Sequence, residues 1–141
     1  MLLSLTGCAL PGGSLRVVDL RCEDKLSPMG IDVSRPFLSW RLESARRGVM
    51  QSGYRILVAG DPADLAPKRA DLWDSGEVSG DQSVNLEYAG RTLGSGQIAY
   101  WKVLVRDNQG NESASEPASW EMGLLQPSDW RAQWIDFPPA Q

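Results

Sequence analysis

The clearest alternation in the chain runs over residues 98–107. Ala99, Trp101, Val103 and Val105 fall on one face there, and Tyr100, Lys102, Leu104 and Arg106 on the other. A period of two sustained over such a run marks a strand with one buried face. Pro36 opens a second such strand, in which Leu38, Trp40 and Leu42 oppose Phe37, Ser39, Arg41 and Glu43. Residues 53–59 give a third, with Tyr54, Ile56 and Val58 set against Arg55, Leu57 and Ala59. Weaker alternation over 15–22 sets Leu15, Val17 and Asp19 against Arg16, Val18 and Leu20 and reads as an edge strand. Shorter strands are expected at 71–78, broken by Ser75-Gly76, at 84–88, where Val84, Leu86 and Tyr88 alternate with their neighbours, and at 117–124 with Trp120 and Met122.

The connections carry turn chemistry. Pro28 and Gly30 mark the first loop, and Arg46, Arg47 and Gly48 read as a polar hairpin between the second and third strands. Asp61 can cap a single helical turn over 61–65, with Pro62 at its first position. Gly90, Gly94 and Gly96 punctuate a corner, and residues 108–111 form a turn. About seven short strands without a helix longer than a turn predict an all-β fold. Its expected form is an antiparallel fibronectin type III/immunoglobulin-like β-sandwich over 15–125; a barrel is the alternative the pattern allows. Residues 1–14 read as a truncated lipoprotein signal and tether, and 126–141 as a linker and the start of a following domain.

Composition narrows the chemistry. The chain has 141 residues, a net charge of −4 and no histidine. Nucleic acid is not an expected partner, because no basic face is present to neutralise phosphates. Without histidine there is no Ser-His or Cys-His arrangement, and the commonest metal ligand is gone. No cofactor is expected. Two cysteines cannot build a disulfide framework; Cys22 lies in a strand and reads as a small buried hydrophobe. Cys8 closes the tetrad Leu5-Thr6-Gly7-Cys8, which resembles a bacterial lipobox, followed by a flexible stretch with Pro11, Gly12 and Gly13. Only seven residues precede Cys8 and none is basic, short of the usual signal segment. If the tetrad is a lipidation site, the membrane is reached only through lipid, and the chain is periplasmic, outer-membrane-anchored or extracellular.

The candidate acids are Asp71, Asp74, Glu77 and Asp81 in one group and Asp107, Glu112 and Glu116 in another. A glycosidase needs two carboxylates about 5–9.5 Å apart, one with a raised pKa. These lie at turns and strand ends, where acids are ordinarily solvated. The chain is therefore not expected to be an enzyme by itself. Of six tryptophans, Trp40, Trp101 and Trp120 fall on inward rows and read as core, whereas Trp73 sits in a loop-like setting as a structural wedge.

Several motifs in order resemble the N-terminal fibronectin type III-like module of bacterial α-L-rhamnosidases. They are Val18-Asp19-Leu20-Arg21-Cys22-Glu23, Gly30-Ile31-Asp32, Arg35-Pro36-Phe37-Leu38-Ser39-Trp40 and Asp71-Leu72-Trp73-Asp74-Ser75-Gly76. Tyr100-Trp101-Lys102-Val103, residues 119–125 and Ser128-Asp129-Trp130-Arg131-Ala132-Gln133-Trp134-Ile135 agree with it. The resemblance implies a non-catalytic accessory module ahead of further sandwich domains and an (α/α)6 barrel. That barrel carries the acids that hydrolyse terminal α-L-rhamnose with inversion, so no catalytic residue transfers to this chain. Such modules usually place a tyrosine six residues after a corner leucine. Taking Leu93 as that leucine, the position holds Ala99, so the corner hydrogen bond should be missing or made otherwise, with Tyr100 as the nearest candidate.

Trp130 and Trp134 lie past the last expected strand. Burying two tryptophans removes about 300–500 Å² from water, an upper-bound gain of roughly 8–12 kcal/mol. Trp130, Trp134 and Ile135 are therefore candidate inter-domain packing residues, with downstream domains of the same enzyme as the partner. On this reading the chain is the front piece of a longer enzyme. Two alternatives of another class are a free-standing lipid-anchored carbohydrate-binding module and a cell-surface interaction sandwich.

Overall fold

A computed structural model describes residues 15–130. Two antiparallel sheets face each other across one core. The first contains β1 (Arg16–Cys22), β2 (Phe37–Glu43) and β6 (Leu86–Glu87), in the order β1-β2-β6. In the second, β3 (Gln51–Ala59) and β7 (Ile98–Asp107) pair along most of their length. The free side of β3 carries β4 (Trp73–Asp74) and then β5 (Val78–Ser79), and that of β7 carries β8 (Glu112–Ala114) and β9 (Ala118–Glu121). Each short pair is one edge line broken by a kink. Nine hydrogen-bonded segments thus make the expected seven-strand sandwich, three lines packed on four.

The inward row of β7 is as the alternation requires: Ala99, Trp101, Val103 and Val105 are buried, and so are Leu38 and Trp40 of β2. Aromatic edges knit the centre. Trp101 meets Trp120, Trp120 meets Tyr88, and Tyr88 meets Trp73, each in a T-shaped contact. Burial pushes the Cys22 thiol up to about 12, with the neighbouring Glu23 adding to it. It is a core side chain, free and buried.

Four expectations need correcting. In β1, Asp19 has φ +53° and the register shifts between Val18 and Arg21. That bulge moves one residue out of phase, so Leu20 and Cys22 join Leu15 and Val17 in the core. Residues 46–48 do not close a hairpin: β2 and β3 belong to different sheets, and the connection crosses the sandwich. Val84 is exposed, and β6 is paired only over Leu86–Glu87. Finally, β8 was not signalled as a strand. Its three residues are mostly polar and exposed, and β7 recruits them by backbone pairing and the Arg106–Glu112 ion pair.

The outer face of the larger sheet is not solvated throughout. Leu57, Ala59 and Leu65 form a second buried cluster, with Ala70, Tyr100 and Leu104 packed against it. The expected single turn, a 3₁₀ helix over Pro62–Asp64 capped by Asp61 on the Ala63 amide, carries the chain over that face. This is why β3 is buried on both sides at its end, although its outward row includes Leu57 and Ala59.

Candidate functional site

Asp71-Leu72-Trp73-Asp74-Ser75-Gly76 is the most chemically dense stretch of the chain, and every member has a structural partner. The Asp71 carboxylate accepts the Gly60 amide at 3.0 Å. Leu72 is buried, and Trp73, half-buried, stands edge-on against Tyr88 at 5.4 Å. Asp74 takes a two-pronged hydrogen bond from Arg55, 2.7 Å on each arm, and also accepts the Gly76 amide. Ser75 Oγ accepts the Ile56 amide and donates to the Gly76 carbonyl. Gly76, at φ +67°, makes the kink that separates β4 from β5. The motif builds an edge strand.

The Arg55 hydrogen bonds, followed by the Gly76 amide, hold the Asp74 carboxyl below its usual range despite partial burial. A carboxylate with a lowered folded pKa stabilises the fold above its unfolded value of about 3.9, and that contribution disappears as pH falls through the folded value. Charge-assisted bidentate bonds of this kind are the stronger sort. Asp74→Asn should therefore cost about 1–2 kcal/mol at pH 7. Urea denaturation across pH should show the gap from the parent closing in acid. A gap that persisted unchanged at pH 2 would assign the loss to something other than the ion pair.

Of the remaining candidate acids, Asp81 and Glu116 are exposed, and Glu77, Glu112 and Asp107 are engaged in structure. Glu77 and Glu112 both reach the same nitrogen of Arg106, at 2.9 and 3.0 Å. They rim a concavity of about 580 Å³ on the outer face, between Pro67 and Ala114. Two carboxylates thus meet at one guanidinium beside a cavity, an arrangement to weigh against a glycosidase pair. Both are exposed and share a guanidinium, whereas a proton-donating acid needs an apolar setting that keeps it neutral. Asp107, expected in solvent, is buried. Burial works to raise its pKa, but the amides of Asn111 and Gln109 and the Asn111 side chain outweigh it and hold the carboxyl below the usual range. It closes the β7–β8 turn. Among the described residues no cluster of His, Cys, Asp and Glu is placed to hold a metal ion.

The tryptophans divide as their rows suggest. Trp40, Trp101 and Trp120 are core, and Trp130 stands 68% exposed where the description of the chain stops. Cys8, Trp134 and Ile135 lie outside the described residues. Just before Trp130 a 3₁₀ turn, Pro127–Asp129, is fastened to the sandwich. Ser95 Oγ donates to the Asp129 carboxylate and accepts the Leu125 amide, and Asp129 also accepts the Gln126 amide. The Ser95 bond, then the Gln126 amide, hold the Asp129 carboxyl below its usual range. Sequence reasoning missed this latch. Pro127 followed by Asp129 is a turn signal, but nothing around Ser95 announces its partner 34 residues away.

Ala99 stands at the expected corner position, and the connection is tied instead by a tyrosine that precedes it. Tyr88 Oη donates to the Arg91 carbonyl at 2.7 Å within the β6–β7 connection. Tyr100 lies on the outward row of β7 and packs into the second cluster instead. Burial, with the charge of Asp71 second, raises the Tyr88 phenol to about 12, so it stays a donor.

A sandwich with this edge motif and this corner matches the Rha78A-like, N-terminal immunoglobulin domain over residues 17–126. The chain belongs to that family. An alpha-L-rhamnosidase of Streptomyces avermitilis is 41% identical over 126 residues, covering 89% of this chain and 12% of that protein. One of Formosa agariphila is 40% identical over 116 residues, covering 82% of this chain and 12% of that protein. The crystal structure of the Streptomyces avermitilis alpha-L-rhamnosidase complexed with L-rhamnose superposes with a TM-score of 0.80 at 40% identity. That match covers 89% of this chain and 12% of the solved one. This chain therefore spans about an eighth of the relatives it matches, their non-catalytic N-terminal immunoglobulin-like part. In this rhamnosidase-family domain the signature residues are scaffold.

Proposed function

We propose that this domain serves as the accessory front module of an α-L-rhamnosidase-type glycoside hydrolase, packing on and orienting the part that cleaves terminal α-L-rhamnose. The observation that supports this most is the placement of the match. It fills residues 17–126 of this chain yet only 12% of each curated relative. Asp74, Glu77, Asp107 and Glu112 are committed to ion pairs or turn amides, and Asp81 and Glu116 are exposed. Removing the matching N-terminal segment from the Streptomyces avermitilis enzyme should lower the melting temperature and activity of the remainder, and grafting this chain in its place should restore both. The 141-residue chain alone should release no nitrophenol from an aryl α-L-rhamnoside. Turnover by the isolated chain, or a graft no better than the deletion, would sink the reading.

A lipid anchor at Cys8 belongs to this proposal only through the Leu5-Thr6-Gly7-Cys8 tetrad. With it goes a periplasmic or outer-membrane location. Radiolabelled palmitate incorporated by the parent and lost in Cys8→Ser is the expected result in a bacterial host; equal labelling of both removes the anchor. Sugar binding by the module has less support, since the tryptophans of the sandwich itself are structural.

A further inference from the structure

We propose that the end of the sandwich from which the chain departs, carrying Met29, Ile98, Leu124 and Trp130, is the face that docks the next domain of the same polypeptide. This rests on the accessory-module reading and assigns its contact surface.

Three segments are held side by side at that end. The Glu121 amide bonds the Pro28 carbonyl, the Ile31 amide bonds that of Glu121, and the Gly123 amide returns to Ile31, at 2.8–3.0 Å. From the other flank the Met122 amide bonds the Gln97 carbonyl, and the Gly96 amide bonds that of Gly123. A Cβ on Gly123 would stand 3.2 Å from the Gly30 carbonyl oxygen, so the first loop is pressed directly onto the strand end. Each segment then presents a large apolar side chain to water: Met29 at 79% exposure, Ile98 at 41% and Leu124 at 46%. With Trp130, this end holds four of the nine large hydrophobics exposed among the described residues. Scattered exposed hydrophobics are ordinary, whereas several gathered on one end mark a contact surface.

The direction of the chain selects the occupant. Ser95 grips both the Leu125 amide and the Asp129 carboxylate, which fixes where Trp130 leaves the sandwich. Trp130, the last of the described residues, is thereby held at the end of the sandwich that carries this patch. A covalently attached domain meets it at an effective concentration of about millimolar. Tethering therefore lets a modest apolar contact hold, and such interfaces typically bury about 600–1,500 Å².

Hydrogen exchange read by mass spectrometry tests the assignment, comparing the isolated 141-residue chain with the same chain grafted onto the Streptomyces avermitilis enzyme. The graft should slow exchange about tenfold or more at residues 28–31, 96–98 and 121–126. Combining Met29→Ser, Leu124→Ser and Trp130→Ala should abolish that slowing while leaving the melting temperature of the isolated chain unchanged. Val84→Ser, an exposed apolar position elsewhere, should keep it. Slowing confined to another face, such as the outer concavity, would overturn this surface and leave the accessory role standing. No slowing anywhere in the graft would overturn both. Concentration-dependent slowing at these residues in the isolated chain would assign the face to self-association instead.

Discussion

Gly90→Ala should be among the most damaging single-methyl additions this domain can receive. A Cβ at residue 90 would lie 2.4 Å from Trp73 Cβ, 2.5 Å from the Leu72 carbonyl oxygen and 2.6 Å from the Tyr88 hydroxyl. Two of these obstacles cannot swing aside, since one is backbone and the other the first atom of a side chain wedged against Tyr88. The segment cannot retreat either, because the Arg91 amide bonds the Leu72 carbonyl at 2.9 Å while its carbonyl accepts Tyr88. Overpacking of this kind costs about 3 kcal/mol or more, a fall of roughly 10 °C or more in melting temperature. Gly30→Ala is the control. Its φ of +79° is unfavourable for alanine, yet nothing lies within 4 Å of the added carbon, and about 1 kcal/mol is expected.

Tyr88→Phe separates the two ways in which the corner could fail. It removes the hydroxyl nearest the new methyl and leaves the Arg91 carbonyl without its donor, at a cost of about 1–1.5 kcal/mol. In the double variant the clashes with Trp73 and Leu72 remain, so Tyr88→Phe should not rescue Gly90→Ala. A melting temperature for the double variant above that of Gly90→Ala would mean that the phenol, not the β4 backbone, sets the limit on residue 90.

These positions show where the sequence was readable. The long strands could be read because one-sided burial imposes a period of two, which β2 and β7 obey, whereas β3 is buried on both sides from Ile56 to Ala59 and was legible by its flanking alternation alone. The core role of Trp40, Trp101 and Trp120 followed from the same rows. What escaped was anything decided by contacts between distant residues. The bulge at Asp19 leaves no local signature, because a lone aspartate at positive φ looks like any polar strand residue. β8 is held by pairing with β7, not by its own composition. The corner tyrosine was sought after Leu93, whereas Tyr88 reaches the corner from the strand before it. Chemical density in the 71–76 motif marked it correctly as important, but only the partners Gly60, Ile56 and Arg55 show that its importance is architectural.

Gln51→Leu should cost about 2–4 kcal/mol, although it keeps the size of the side chain and places a hydrocarbon in a buried position. Gln51 is 5% exposed, and its amide joins three parts of the fold. Its oxygen accepts the Trp40 indole N–H from β2 at 3.1 Å. Its nitrogen donates to the Gly80 and Gln82 carbonyls at 3.1 and 2.9 Å, where the chain crosses from β5 towards β6. The orientation is forced, since an indole can only donate and carbonyls can only accept. Leucine leaves one donor and two acceptors without partners at the seam between the sheets. Gln51→Glu gives the sharper result. Its carboxylate would still accept from Trp40 but would turn a second oxygen towards two carbonyls, an arrangement tolerable only when protonated. Burial and those carbonyls should raise the folded pKa of the introduced acid above its unfolded value. Its destabilisation should then be small in mild acid and grow as pH rises from the unfolded value to the folded one. Urea midpoints at pH 4 and pH 7 measure it directly. A Gln51→Glu variant equally stable at both would show that the seam is open to water and that the amide is not the bond between the sheets.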